Sequence, residues 1–251
     1  MENEKIRKTV REGYAKIARE SCSCGSSCCG GGETAESFLE KTGYSAEELS
    51  GLPDAAIAGL ACGNPIARAK PAAGETVLDL GSGPGLDCFI AAKAVGTTGR
   101  VVGVDMTPEM IDRARRAASD GGFENVEFRL GEIENLPAAD GSVDIVISNC
   151  VVNLSPDKAR VFREAYRVLR SGGRLVVSDI VLLRALPDAL RNSDEMLVAC
   201  VANASPKEEY LRFVREAGFE GVEVIEERIY PMEGFGEDGP AASVIVRGMK
   251  R

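Results

Sequence analysis

The chain contains no histidine and no tryptophan, and aromatic residues make up only 5% of it. Without histidine there is no Ser-His-Asp triad, no imidazole general base and no imidazole-ligated metal. No apolar run reaches the roughly 18 residues that a membrane-spanning helix needs. The opening stretch MENEKIRKTVREGYAKIARE is charged throughout and lacks the apolar core of a secretory signal. Positive charge is short as well: 30 Lys and Arg stand against 39 Asp and Glu, a net charge of −9. No basic cluster and no helix-turn-helix pattern offsets that balance, which argues against a nucleic-acid partner. What remains is an ordinary globular composition, 44% hydrophobic and 27% charged over 251 residues. That is enough chain for one large domain, or a core domain with additions. Eight cysteines without a signal point to a reducing, cytoplasmic setting, where thiols serve as ligands, catalytic groups or core residues.

Hydrophobic periodicity divides the chain. Residues 4–19 read as an amphipathic helix through Ile6, Val10, Tyr14 and Ile17. The segment SCSCGSSCCGGG (21–32) is too polar and glycine-rich for a core and reads as loop. Short helices are expected over 34–42 and after Ser45, whose pairing with Glu48 has the form of a capping box. From residue 75, strands alternate with helices: ETVLDL (75–80), RVVGVD (100–105), NVEFRL (125–130), VDIVISN (143–149) and RLVVSDIVLL (174–183). Thr107–Pro108 and Ser155–Pro156 are expected to open helices, and Gly172–Gly173 to end the second of them. Residues 187–200 and 205–217 read as helical, and 222–230 and 242–249 as two strands that add an antiparallel edge. The expected fold is α/β, a doubly wound and mostly parallel sheet. It divides into an N-terminal helical, Cys-bearing cap (1–70), a central α/β domain (71–183) and a C-terminal extension that closes the substrate site (184–251). Acid concentrates over 216–240, which reads as a solvated surface.

The glycine turn DLGSGPGLD (79–87) lies between a buried strand and a helix. Gly81, Gly83 and Gly85 allow a tight turn and close approach of a ligand to the backbone, and the helix start behind them offers unpaired N–H groups. Asp105 ends the next strand, where a carboxylate can accept both hydroxyls of a ribose. Asp79 enters the turn and suits an ammonium group. The G-x-G-x-G spacing, the acid ahead of the first glycine and the lack of a Tyr-x-x-x-Lys pair (Tyr166 is followed by Arg170) argue against a nicotinamide cofactor.

This turn, together with Asp105, GEIENLP (131–137), VDIVISN and LRSGGRLVVSD (169–179), resembles the class I S-adenosylmethionine-dependent methyltransferases. The resemblance implies a Rossmann-like fold and S-adenosyl-L-methionine as the methyl donor. It places Gly81, Gly83 and Gly85 at the methionine part, Asp105 at the ribose, Met106 on the adenine, Glu132 and Ile133 at the adenine edge, and Asn149 near the reacting methyl.

Three further cysteines stand apart in sequence. Cys150 follows Asn149 at the carboxyl end of a strand, the edge where open α/β sheets hold ligands. Cys62 sits in LACGNP, a loop-like setting before the first strand, and Cys200 in LVACVANAS, near a helix end beyond the fifth strand. Each could be a small buried apolar residue. Converging thiolates with no imidazole would instead select a soft metal or metalloid. Cys88 is expected to pack within its helix. The Cys22, Cys24, Cys28 and Cys29 cluster leaves three roles open: structural zinc, redox or metalloid delivery, and a spectator tail.

More narrowly, ACGNP (61–65), GLDCFIAA (85–92), VDMTPEM (104–110) and SNCVVNLSPDK (148–158) together resemble the arsenite methyltransferases, as do Tyr14 and the Cys28–Cys29 pair. That resemblance implies methylation of trivalent arsenic, presented as a thiol conjugate and held by Cys62, Cys150 and Cys200. It further implies glutathione or another small thiol, and a thioredoxin-type reductant, as partners. Trivalent arsenic carries its own lone pair, so no general base is needed; alignment with the sulfonium methyl contributes roughly 7–11 kcal/mol. Methylation oxidises arsenic, and two thiols can return the electrons by closing a disulfide, which Cys28 or Cys29 is expected to form with Cys62. The competing readings are a small-molecule C-, O- or N-methyltransferase with packed cysteines, and a metalloid-binding protein without catalysis.

Overall fold

The computed structural model of the chain describes residues 2–19, 34–232, 235 and 239–251. The N-terminal part forms α1 (Glu2–Arg19), α2 (Ala35–Thr42), α3 (Ala46–Leu49), a short 3₁₀ turn (Asp54–Ala56) and α4 (Pro65–Ala69). There follow β1 (Thr76–Leu80), α5 (Leu86–Val95), β2 (Arg100–Asp105), α6 (Pro108–Asp120), β3 (Val126–Leu130) and β4 (Val143–Asn149). After a second 3₁₀ turn (Val152–Leu154) come α7 (Lys158–Val168), β5 (Leu169–Leu182), α8 (Asp188–Arg191), α9 (Asp194–Val198), α10 (Lys207–Glu216), β6 (Glu220–Ile229) and β7 (Ala241–Met249).

The strands form one seven-stranded sheet in the order β3-β2-β1-β4-β5-β7-β6. The first five strands in that order run parallel; β7 is antiparallel to both β5 and β6. The expected antiparallel addition is therefore present, with the last strand inserted between β5 and β6. The C-terminal residues complete the central sheet rather than forming a sheet of their own.

Strand side chains alternate between faces. Val77, Val101, Ile145 and Ile147 point into one core with α5 and α6, while Leu78, Leu80, Val102 and Val146 point into the other with α7 and α10. Both faces are thus apolar, which is why the central strands read as nearly continuous hydrophobic runs. Helix α5 is buried almost all round, because the N-terminal helices pack over the side that a surface helix would leave wet. A third apolar cluster roofs the carboxyl ends of the strands and joins α1, β5 and the segment around Cys200.

Local chemistry explains most boundaries. Thr34 caps α2, Ser45 and Glu48 form the full capping box on α3, and Pro108 occupies the first turn of α6. Thr107 holds the cap position of α6, but its hydroxyl makes no capping bond; the Asp105 carboxylate takes the Thr107 N–H instead, at 2.8 Å. Three expectations need correction. Helix α7 is capped by Asp157, which accepts the Arg160 N–H at 3.0 Å, whereas the Ser155 hydroxyl is committed to Glu134 at 2.8 Å. That helix ends at Val168, and Gly172 and Gly173 lie inside β5, where the β4 register shifts between Val143 and Ile145. Residues 187–200 form two short helices, because the Ser193 side chain caps Met196 N–H and so starts α9 afresh.

Candidate active site

The order β1-β4 marks the switch point of the sheet, where consecutive crossovers leave to opposite faces and a crevice opens at the carboxyl ends of the strands. A cavity of about 340 Å³ occupies it. Gly81 and Ser82 donate their N–H groups to the Val104 carbonyl at 2.7 and 3.0 Å, which folds the glycine turn back over β2. Gly81 has φ +67°, and a Cβ there would stand 2.3 Å from Val151. Gly83 has φ +50° and a Cβ would meet nothing within 4 Å: this glycine borders open cavity. Its N–H donates to Asp105 Oδ2 at 2.9 Å, so the β2 carboxylate braces the turn while lining the cavity.

The donor set fits S-adenosylmethionine. The Ser82 hydroxyl is buried on the cavity wall without a hydrogen-bond partner among the described residues. Asp79 and Asp87 are buried carboxyls on the same wall, and no Lys or Arg pairs with either among the described residues. Burial, reinforced by the neighbouring Asp87, pushes Asp79 well above the usual carboxylate range, and burial raises Asp87 to about 6. Two buried acids with no counter-cation among the described residues favour a cationic occupant. Asp105, also raised by burial, accepts one backbone bond on each oxygen and keeps lone pairs for ribose hydroxyls.

Asn149 ties this wall to the first thiol. Its amide nitrogen donates to Tyr44 Oη at 2.8 Å, to the Gly63 carbonyl at 2.8 Å and to Asp87 Oδ2 at 3.2 Å; its oxygen accepts the Cys62 N–H at 3.1 Å. The Tyr44 hydroxyl donates in turn to Asp87 Oδ1 at 2.7 Å. The amide's bonds are thus committed to the protein, and Asn149 holds the Cys62 loop at the cavity edge.

Cys62 and Cys150 are joined as a disulfide, with Cα atoms 5.9 Å apart across 88 residues of sequence. Ser178 Oγ lies 3.5 Å from Cys62 Sγ. Cys200 is a buried free thiol whose Sγ–H donates to the Cys150 carbonyl at 2.6 Å. Burial, with Asp179 nearby, pushes the Cys200 thiol far up. Cys150 and Cys200 have φ of +59° and +64°, rare for residues with a Cβ and costing about 1–2 kcal/mol each. Such backbone clusters at functional sites. All three cysteines line the cavity. With Cys62 and Cys150 bonded to each other, no group of three metal-type ligands stands assembled among the described residues.

Of the residues expected at the site, Asp79, Gly81, Gly83, Asp105, Met106, Ile133, Asn149, Cys62, Cys150 and Cys200 line this cavity. Gly85 does not: it sits at the cap of α5 with φ +99°, where a Cβ would stand 2.7 Å from Phe128. Glu132 turns instead toward α1, 3.6 Å from Arg7 and 3.9 Å from Arg11. Glu134, two residues on, lines the cavity and accepts Arg7 and the Ser155 hydroxyl. Cys62 is bonded to Cys150; its expected partners Cys28 and Cys29 lie outside the described residues, with Cys22 and Cys24. Cys88 packs in the core as expected, and its thiol also donates to Asp79 at 3.3 Å. Tyr44, Asp87 and Ser178 were not expected; the Ser-Gly-Pro-Gly-Leu-Asp spacing could have flagged Asp87, in the first turn of the helix.

Residues 71–218 match the family described as methyltransferase domain. The chain is 51% identical over 230 residues to an arsenite methyltransferase of Halobacterium salinarum, covering 88% of this chain and 59% of that protein. It is 40% identical over 152 residues to the human arsenite methyltransferase, covering 57% of this chain and 40% of that one. It thus spans well under two thirds of these curated relatives. Among solved structures, the crystal structure of an arsenic (III) S-adenosylmethionine methyltransferase from Chlamydomonas reinhardtii superposes with a TM-score of 0.66 at 38% identity, covering 85% of this chain and 73% of that one. Glycine turn, strand-end acid and cavity thiols therefore occur together in a chain that belongs to the arsenite methyltransferase family of S-adenosylmethionine-dependent methyltransferases.

Proposed function

We propose that the chain methylates trivalent arsenic, delivered as a conjugate of glutathione or another small thiol. The observation that carries this reading is the meeting of Cys62, Cys150 and Cys200 on one wall of the donor cavity. When bound, S-adenosylmethionine supplies an electrophilic methyl on a cationic sulfonium. Asp79 and Asp87 would face its positive groups, Asp105 would take the ribose hydroxyls, and Met106 and Ile133 would supply apolar surface for the adenine. Reduced Cys62, Cys150 and Cys200 replace the small thiols on arsenic. Three sulfur ligands leave trivalent arsenic pyramidal with its lone pair outward, so no side chain has to remove a proton from the nucleophile.

Methylation leaves arsenic pentavalent. Two electrons restore the trivalent state, and the Cys62–Cys150 pair gives them by forming an S–S bond; the disulfide in this structure supports that assignment. An external dithiol of the thioredoxin type then reduces the bond by exchange. The cysteines at 28 and 29 remain candidates for relaying that exchange. No helix among the described residues is long and apolar enough to cross a membrane, and a thiol site of this kind works in a reducing compartment such as the cytoplasm.

The test is incubation of the reduced chain with arsenite, glutathione and methyl-labelled donor, followed by product speciation. The expected result is labelled methylarsenical, falling at least about a hundredfold in Cys62→Ser and in Cys150→Ser. Unlabelled arsenic, or serine variants with full activity, would contradict the proposal.

A further inference from the structure

Helix α1 reaches the thiol site because residue 13 is glycine. A Cβ there would stand 2.7 Å from Val198 Cγ2, so the helix backbone rests directly on α9. Tyr14 thereby lines the cavity, its Oη 3.3 Å from the Val198 carbonyl and 3.8 Å from Cys200 Sγ. A phenol has one proton and donates to one acceptor at a time. While Cys200 is a thiol, its own proton is occupied with the Cys150 carbonyl at 2.6 Å, and Tyr14 donates to Val198. Once Cys200 loses that proton its sulfur becomes an acceptor, and the Tyr14 hydroxyl is already beside it. The charged groups around the pair are mostly of the wrong sign for a thiolate: Asp179 on β5 acts electrostatically on both Cys200 and Tyr14, and Asp105 on β2 acts on Tyr14. Arg7 on α1 lines the cavity but is paired with Glu134, and Lys158 on α7 interacts with Asp179.

We propose that Tyr14 is a positioning residue for the Cys200 thiolate: its hydroxyl turns from the Val198 carbonyl to the sulfur as Cys200 becomes an arsenic ligand, so that docking of α1 completes the third thiol site. This rests on the reading that Cys200 binds arsenic. In the exchange, the Cys200 S–As bond forms and one As–S bond to a small thiol breaks. The Cys200 proton leaves on that small thiol, and no oxidation state changes.

The test compares the reduced full chain with Tyr14→Phe, which removes a single oxygen. Alkylation of each cysteine is followed by peptide mass against pH, S-adenosylhomocysteine binding is measured as a check on the donor site, and arsenite is titrated with glutathione present. Tyr14→Phe is expected to slow Cys200 alkylation about tenfold at pH 8 and move its pH midpoint upward, with arsenite affinity about tenfold weaker. Cys62 and Cys150 rates and S-adenosylhomocysteine affinity are expected to stay within about twofold. Equal Cys200 rates, or a parallel change at all three cysteines and in S-adenosylhomocysteine binding, overturn the inference. The Cys200→Ser control separates the two readings. If it binds arsenite as the unsubstituted chain does, the assignment of Cys200 as a ligand fails. If it loses affinity while Tyr14→Phe does not, the Tyr14 inference alone fails.

Discussion

Each glycine of the turn answers to a different neighbour. Gly81 is squeezed against Val151, whereas a Cβ on Gly83 would project into open cavity. Both have positive φ, so alanine at either costs about 1–2 kcal/mol in backbone strain; at Gly81 the collision adds roughly 1–3 kcal/mol. Gly81→Ala is expected to lower the melting temperature more than Gly83→Ala, while Gly83→Ala keeps its fold and loses donor affinity. Thermal melts paired with donor titration decide this, and equal destabilisation would contradict the placement. Asp87 gives a second residue-scale expectation. Burial holds its carboxyl near 6, so it is ionised above and protonated below that pH. A cationic donor favours the ionised form, so Asp87 contributes a rise in affinity as pH increases through about 6. For the empty protein the sign is opposite: with the folded value raised above the usual 3.8, this group's contribution to stability is lost as pH climbs from about 4 through about 6. Asp87→Asn should flatten both curves, measurable by calorimetry and urea melts. The glycine turn, Asp79 and Asp105 were legible in the sequence because turn chemistry and strand ends are local signals. Tyr44 and Asp87 were not, since their 2.7 Å bond spans 43 residues that only the folded chain brings together.

At the scale of elements, the strands were legible because burial on both faces leaves near-continuous apolar runs, and β2 and β4 coincide with the segments RVVGVD and VDIVISN. The helices were less so. The start of α7 was misplaced because Ser155 offers a capping hydroxyl that the fold spends on Glu134, a partner 21 residues away. The strain at Cys150 and Cys200 leaves no trace in sequence either, since nothing about a cysteine signals a left-handed backbone. Helix α1 is where function depends most on docking. It is held by Gly13 against Val198, by Arg7 to Glu134 and by Arg19 to Glu109. Gly13→Leu should push α1 off α9, speed amide exchange along residues 2–19 and weaken donor binding about tenfold, with the exchange of β1 and β4 unchanged. A variant that exchanges and binds like the unsubstituted chain would show that this contact does not seat the helix.

For the whole molecule, one sheet gathers parts that lie far apart in the chain. The loop before β1 brings Cys62, the end of β4 brings Cys150, and the turn after α9 brings Cys200, all facing the cavity that the glycine turn and Asp105 define. Convergence of these thiols was an expectation from three isolated cysteines and a family resemblance; spacing alone could not supply it, because Cys62 and Cys150 are 88 residues apart. The Cys62–Cys150 bond adds a condition: of the three cavity cysteines, the oxidised chain offers arsenic Cys200 alone, and the reduced chain offers all three. Arsenic K-edge X-ray absorption on the chain loaded with one equivalent of arsenite is the most direct measurement. With Cys22, Cys24, Cys28 and Cys29 replaced by serine, the account predicts arsenic surrounded by three sulfurs after reduction, dropping to two in Cys200→Ser, and negligible retention by the oxidised chain. Oxygen-dominated coordination in the reduced chain, or three sulfurs retained when Cys62, Cys150 and Cys200 are all serine, would contradict it.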